Sequence, residues 1–189
     1  MRKGIVIGID PDCEASGVAY IENNYATCEV LPFPELIDKL LSYKGKDVKI
    51  FIEGGWLISA NWHLKKNHNR HQASAIGNSV GRNHETGRKI CEMLDHHNIQ
   101  YFVRKPLLKR WKGQDGKITH EELREVLKDW GIVFNRKRSN QEERDALLLA
   151  YLPILNIEFN LLSLQSHKVT PSLGNSRIGR EGVVTLPFL

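Results

Sequence analysis

Three acidic residues stand where their neighbours make a carboxylate costly. Asp10 closes the apolar run GIVIGID, Glu53 closes VKIFIE, and Asp145 interrupts a stretch of leucine and alanine with helical spacing. Burying a carboxylate without a partner is expensive, so an acid at the end of a buried run asks for a cation. Glu142 lies three residues before Asp145, on the same helical face about one turn away. If the two strands are adjacent and that helix packs over their ends, four carboxylates share one small volume. Their repulsion then favours a bound cation. Oxygen ligands without clustered cysteine or histidine select a hard ion, Mg²⁺ or Mn²⁺. Singly, each acid has a plainer role. Asp10 before Pro11 suits a turn, Glu53 before Gly54 and Gly55 suits a solvated strand end, and Glu142, Glu143 and Asp145 suit the first turn of a helix. Their joint placement is what points to metal.

The elements that must position these acids are legible from periodicity. Residues 4–10 read as a strand buried on both faces. Residues 16–22 and 25–31 follow as strands, separated by the turn-forming Asn23 and Asn24. Pro34 opens a short helix whose Leu36, Ile37, Leu40 and Leu41 share a face, and residues 48–53 form a fourth strand, reached by what reads as a parallel crossover. From Gly55 to about Asn83 the pattern weakens into polar, basic, histidine-rich sequence, part of which reads as a functional loop. A helix is expected from about His84 to His97 and a strand over 99–104. Another helix is capped by Thr119, with Leu123, Val126, Leu127 and Trp130 apolar, and a last one by Asn140. The predicted order is βββ-α-β-α-β-α-α, in one domain over 1–155. Residues 156–189, rich in Ser, Asn, Gly and Pro, read as a C-terminal arm or partly disordered tail.

A length of 189 residues suits one domain of ordinary size. No apolar run approaches membrane-spanning length, and charge returns at Asp10 too early for a signal-peptide core, so a cytoplasmic chain without a membrane partner is expected. Three widely spaced cysteines, Cys13, Cys28 and Cys91, form neither a disulfide framework nor a metal pair and read as reduced thiols. Net charge is only +5, but its distribution is uneven. No acid occurs from Gly54 through His84, which holds Lys65, Lys66, Arg70 and Arg82. None occurs from His96 through Gln114, which holds Arg104, Lys105, Lys109, Arg110 and Lys112. Arg136, Lys137 and Arg138 form a third cluster. On a shared face such clusters would collect phosphates; as separate loops they would merely be solvated. His63, His68, His71 and His84 fall in or beside the first, too irregularly spaced for zinc without cysteines.

Read together, these segments resemble the RuvC-type Holliday junction resolvases of the RNase H-like superfamily. IGIDPDCEASGVAYIE resembles the family's opening hairpin, FIEGG its second acidic motif and QEERDALLLAY its third. GNSVGRNHETGRKICEML and YFVRKPLLKRWKGQDGKITHEELREVL are similar to the helix, strand and lysine-bearing segment between them. The resemblance covers about residues 4–155 in matching order. It implies an α/β, RNase H-like fold with a mixed five-stranded sheet flanked by helices, and a crossover junction endodeoxyribonuclease whose Asp10, Glu53, Glu142 and Asp145 bind two divalent ions. It further implies a bridging role for Asp10, phosphate contacts by Lys109 or Lys112, and stacking on an opened base by Trp56, for which a packing role is the alternative. Branched DNA would be the partner and a homodimer the assembly, since paired nicks need two active sites. Two positions depart from the family pattern: Asp12 stands where glycine is usual after the proline, and Glu142 where Asp or His is usual.

Three other readings share parts of this pattern. An RNase H-like nuclease for RNA or RNA/DNA hybrid would keep the acids and differ in groove contacts. A non-catalytic nucleic-acid-binding protein of the same fold would have no use for the intact acids. An ATPase of the actin or sugar-kinase type would need a second Gly-rich phosphate loop and about twice the length.

Overall fold

The computed structural model describes residues 4–58, 69–108 and 110–159, with side chains as far as Leu152. Lys65, Lys66, Lys109, Trp62, His63, His68 and residues 160–189 lie outside the described residues.

Strands β1 (Ile5–Asp10), β2 (Ser16–Glu22) and β3 (Tyr25–Leu31) form an antiparallel meander. Asn23 and Asn24 both take positive φ, 49° and 66°, the backbone that matches a two-residue turn to the twist of its strands. Helix α1 (Phe33–Leu41) carries the chain across to β4 (Val48–Glu53), which pairs parallel with β1. Helix α2 (Arg70–His96) then leads to β5 (Tyr101–Arg104), parallel to β4. The sheet order is β3-β2-β1-β4-β5, the mixed five-stranded RNase H-like arrangement. Helices α3 (His120–Asp129) and α4 (Gln141–Phe159) complete the chain.

Alternation along the strands builds two cores. One face gives Ile7, Ile9, Val18, Ile50 and Ile52 to Leu36 and Leu40 of α1 and to Ile90 and Leu94 of α2. The other gives Ala19 and Ile21 to Leu123 and Leu127 of α3 and to Ala146, Leu147 and Ala150 of α4. The second face is built of small residues because α4 lies directly on it. A Cβ on Gly8 would meet the Ala146 carbonyl oxygen and stand 2.6 Å from the Ala150 nitrogen. One on Gly17 would meet the Glu142 carbonyl. The first turn of α4 is fixed by its own cap: the Glu143 N–H donates to Asn140 Oδ1 at 2.8 Å and the Asn140 N–H to Glu143 Oε2 at 2.9 Å. Glu143 is buried, and its other oxygen accepts from Arg136 Nη1, which also reaches the Cys28 carbonyl.

The strand reading survives, and both inner caps fall where the sequence puts them, with Thr119 forming a reciprocal box with Glu122. The corrections concern helix ends. Helix α2 begins at Arg70, not near His84, so His71 and His84 lie on a helix and not on a loop. Two glycines, Gly77 and Gly81, and few apolar residues hide the periodicity of its first half, which is solvent-facing and needs no apolar stripe. The signal that marks its start is the Asn69 and Gln72 capping box, with bonds of 2.9 and 3.0 Å. Strand β5 begins at Tyr101 because Asn98, at φ 55°, and the Ile99 N–H, bonded to the Leu94 carbonyl, still belong to the end of α2. Trp130 lies past the last turn of α3, 39% exposed, with its ring edge-on to Tyr151.

Candidate active site

Parallel pairing sets the ends of β1 and β4 side by side. Ile9 faces Ile52, so Asp10 and Glu53 are the next residues along the two strands. Each lies two positions beyond a residue on the α4 side of the sheet, Gly8 and Phe51. Across β1, Asp10 pairs with Gly17, the residue that admits the Glu142 turn of α4. The fold therefore delivers Asp10, Glu53, Glu142 and Asp145 to one end of the sheet.

The electrostatics match that placement. Asp10 is pushed well above the ordinary carboxylate range, first by burial, then by the charges of Glu53, Asp145, Glu142 and Asp12. Among the described residues, no three acidic, histidine or cysteine side chains are drawn close enough to hold an ion as they stand. One reason is visible at Asp145, whose Oδ1 accepts from Gln141 Nε2 at 2.7 Å. Repelling carboxylates in a poorly solvated site take neutral donors or spread apart. The donor set suits a hard divalent cation: the acids are all-oxygen ligands, and their repulsion is what a cation cancels.

The turns that follow Asp10 and Glu53 are held by α2. After β1, the Cys13 N–H donates to Asn83 Oδ1 at 3.0 Å, and Asn83 Nδ2 donates to Asp12 Oδ2 at 2.9 Å. Asp12 is thus bound to a helix. After β4, Gly54 and Gly55 let the chain fold tightly, with a Cβ on Gly55 standing 2.6 Å from His84 Nε2. Trp56 is half-buried, its ring lying against Gly87, with the Arg88 guanidinium 5.6 Å from the ring centre. Its packing role is therefore realised. Burial and Arg88 hold the His84 imidazole below its usual pKa, so it gains charge only in more acid conditions than a free histidine.

Arg104 ends β5 beside Glu53 in register. Its guanidinium lies 5.0 Å from the Phe51 ring centre, its Nε is buried without a hydrogen-bond partner, and burial lowers its pKa. Of the predicted nucleic-acid contacts, Arg70 and Arg82 are exposed on α2, and Lys105, Arg110 and Lys112 are exposed in the segment after β5. The Lys112 N–H is anchored to Glu122 Oε1 at 3.0 Å. Lys105 follows directly on the strand whose end adjoins Glu53, whereas Arg70 lies more than three helical turns from Asn83 along α2. Sequence reasoning missed Asn83 as a brace and Arg88 as a partner of Trp56. Neither carries a local signal.

No protein-family model and no curated protein sequence matches the chain. Among solved structures, it is similar to Thermus thermophilus RuvC in complex with a Holliday junction substrate, with a TM-score of 0.45 and 13% identity over 82% of this chain and 96% of that one. It is also similar to a second Thermus thermophilus RuvC structure, with a TM-score of 0.43 and 14% identity over the same shares of the two chains. No helix among the described residues is long and apolar enough to cross a membrane.

Proposed function

We propose that the chain is a divalent-metal-dependent structure-specific endonuclease that hydrolyses phosphodiesters in four-way DNA junctions. The observation that carries this reading is the convergence of Asp10, Glu53, Glu142 and Asp145 at one end of the sheet, where burial and then the charges of the other three raise the proton affinity of Asp10. Stability alone gives no reason to bring four acids together, because each added charge penalises the others. The junction as substrate rests on the ordered set of family motifs in the sequence. Exposed Lys105, Arg110 and Lys112 beyond β5, with Arg82 on α2, supply positive charge for a phosphate backbone.

Asp10, Glu53, Glu142 and Asp145 would hold two Mg²⁺ or Mn²⁺ ions. Such ions, when bound, activate a water for in-line attack and stabilise the leaving 3′ oxygen. The chain's own part is to hold the ligands: β1 and β4 fix Asp10 and Glu53 by register, while α4 brings Glu142 and Asp145 down over them. Trp56, packed on Gly87, would present its remaining exposed edge to an unpaired base beside the acids. Two such sites in a homodimer would nick the junction in pairs.

The test is cleavage of a synthetic four-way junction, beside a linear duplex and an RNA/DNA hybrid of the same sequence, in Mg²⁺, in Mn²⁺ and in EDTA. Symmetric metal-dependent nicks confined to the junction are expected. Cutting of the hybrid alone would move the activity to RNA-containing substrates, and junction binding without cutting in either metal would reject the nuclease.

A further inference from the structure

Asp10 ends β1, just before a five-residue connection that opens with Pro11, Asp12 and Cys13, and the position of its carboxylate depends on how that connection is held. Two devices hold it. Inside the hairpin, Ser16, buried at the start of β2, accepts from the Asp12 N–H at 3.2 Å and donates back to the Asp12 carbonyl at 3.4 Å. From outside, Asn83 of α2 grips the turn with both ends of its amide, accepting from the Cys13 N–H and donating to Asp12 Oδ2. These are the hydrogen bonds that cross 70 and 71 residues of sequence to reach the turn. One helical turn further on, Gly87 lies against both Pro11 and Trp56, so the same stretch of α2 braces the β1 turn and the β4 turn together.

The chemistry of Asp12 follows from these bonds. Its Oδ1 accepts from the Glu14 N–H at 2.9 Å and its Oδ2 from Asn83. Both oxygens are thus engaged, and the carboxylate acts as a strut although it is one of the charges that repel Asp10. A glycine at this position would leave the helix only the Cys13 N–H to grip. Holding Asp12 by a neutral amide keeps a like charge beside Asp10 at a fixed place without adding another.

We infer that Asn83 is a positioning residue for the proposed metal site: its amide, clamped on Asp12 and Cys13, holds the turn after Asp10 and so keeps the Asp10 carboxylate beside the other acids that would take up the ions. The inference rests on the nuclease reading. Residues that orient metal ligands typically cost about 10–100-fold in metal affinity when changed, and that range is expected here.

The experiment exploits the asymmetry of the amide. Asn83→Asp keeps the acceptor for Cys13 but sets a carboxylate against Asp12. Asp12→Asn removes one of that side chain's two acceptors. In the double variant Asp12→Asn/Asn83→Asp the amide and the carboxylate trade places, and every bond of the clamp can form again: the Cys13 and Glu14 N–H groups still donate, and only the amide-to-carboxylate bond runs in the opposite direction. Mn²⁺ binding to each full-length protein is titrated by calorimetry without DNA, alongside hydrogen exchange of the Cys13 amide and kcat and KM on the junction. Asn83→Asp is expected to weaken Mn²⁺ binding about 10-fold or more, to deprotect the Cys13 amide and to lower kcat with KM for DNA little changed. The double variant should recover affinity to within about 3-fold of wild type, a reciprocal coupling that a general loss of stability would not produce. Wild-type Mn²⁺ affinity in Asn83→Asp, or a double variant no better than the worse single, would overturn the clamp while leaving the nuclease standing. No Mn²⁺ binding by the wild type would bring down both.

Discussion

The contact most exposed to experiment is the one between α4 and the sheet, because at Gly8 and Gly17 the helix backbone lies where a side chain would stand. Gly8→Ala places a Cβ 2.6 Å from the Ala150 nitrogen, where ordinary contact begins at 3.4 Å, and still nearer the Ala146 oxygen. Relieving the nitrogen contact alone takes about 0.8 Å, and the nearer oxygen requires helix α4 to rise further than that. Neither obstructing atom can rotate aside, since both are backbone in the middle of a helix. Raising it opens a gap beneath Ala146, Leu147 and Ala150, all buried against β1 and β2, and a gap of that size forfeits about a quarter to a half of each contact's dispersion energy. Overpacking of this kind costs roughly 1–3 kcal/mol, and a rigid obstacle puts Gly8→Ala at about 3 kcal/mol. For a chain of this size that corresponds to a fall in Tm of about 6–12 °C. Gly17→Ala meets the Glu142 backbone in the first turn of α4, where the chain has more freedom to yield, so about 1–2 kcal/mol is expected. Its displacement falls on Glu142 itself. Thermal melting without metal and Mn²⁺ titration would separate the two effects: Gly8→Ala should lose more stability, and Gly17→Ala more metal affinity per degree lost. A Gly8→Ala protein that melts within about 1 °C of wild type would refute the close approach.

Two further outcomes follow from the site. Asp10 holds its proton more tightly in the folded chain than at its ordinary value of 3.8, so in the metal-free protein its ionisation removes stability as pH rises from that value through the folded pKa. Asp10→Asn should therefore melt above wild type in EDTA at neutral pH, lose that advantage below about pH 4, and abolish cleavage while binding junction DNA; a variant less stable than wild type throughout would contradict the crowding of the acids. If α2 carries DNA on its exposed side, Arg70→Ala/Arg82→Ala should weaken junction binding and reduce the slope of log affinity against log salt by up to about 2, and an unchanged slope would place the DNA elsewhere.

Much of this protein is written locally. The runs at 4–10, 16–22, 25–31 and 48–53 are strands because apolar β-formers between turn residues have few other ways to bury their side chains, and Asn140 and Thr119 cap their helices through bonds spanning three residues. The acids were conspicuous for the same reason, since a carboxylate at the end of an apolar run is visible against its neighbours. Tertiary structure decided what those patterns leave open. The first half of α2 has no apolar face to betray it and is held by a capping box and by its continuity with the buried half. Gly8 and Gly17 look like any glycines until α4 lies across them. Asn83 and Asp12 are 71 residues apart, and nothing in either segment announces that one will grip the other. A chain advertises the bonds it makes within a turn or two. Those that join the turn after Asp10 to a distant helix depend on the register of the sheet, which exists only once the strands have paired.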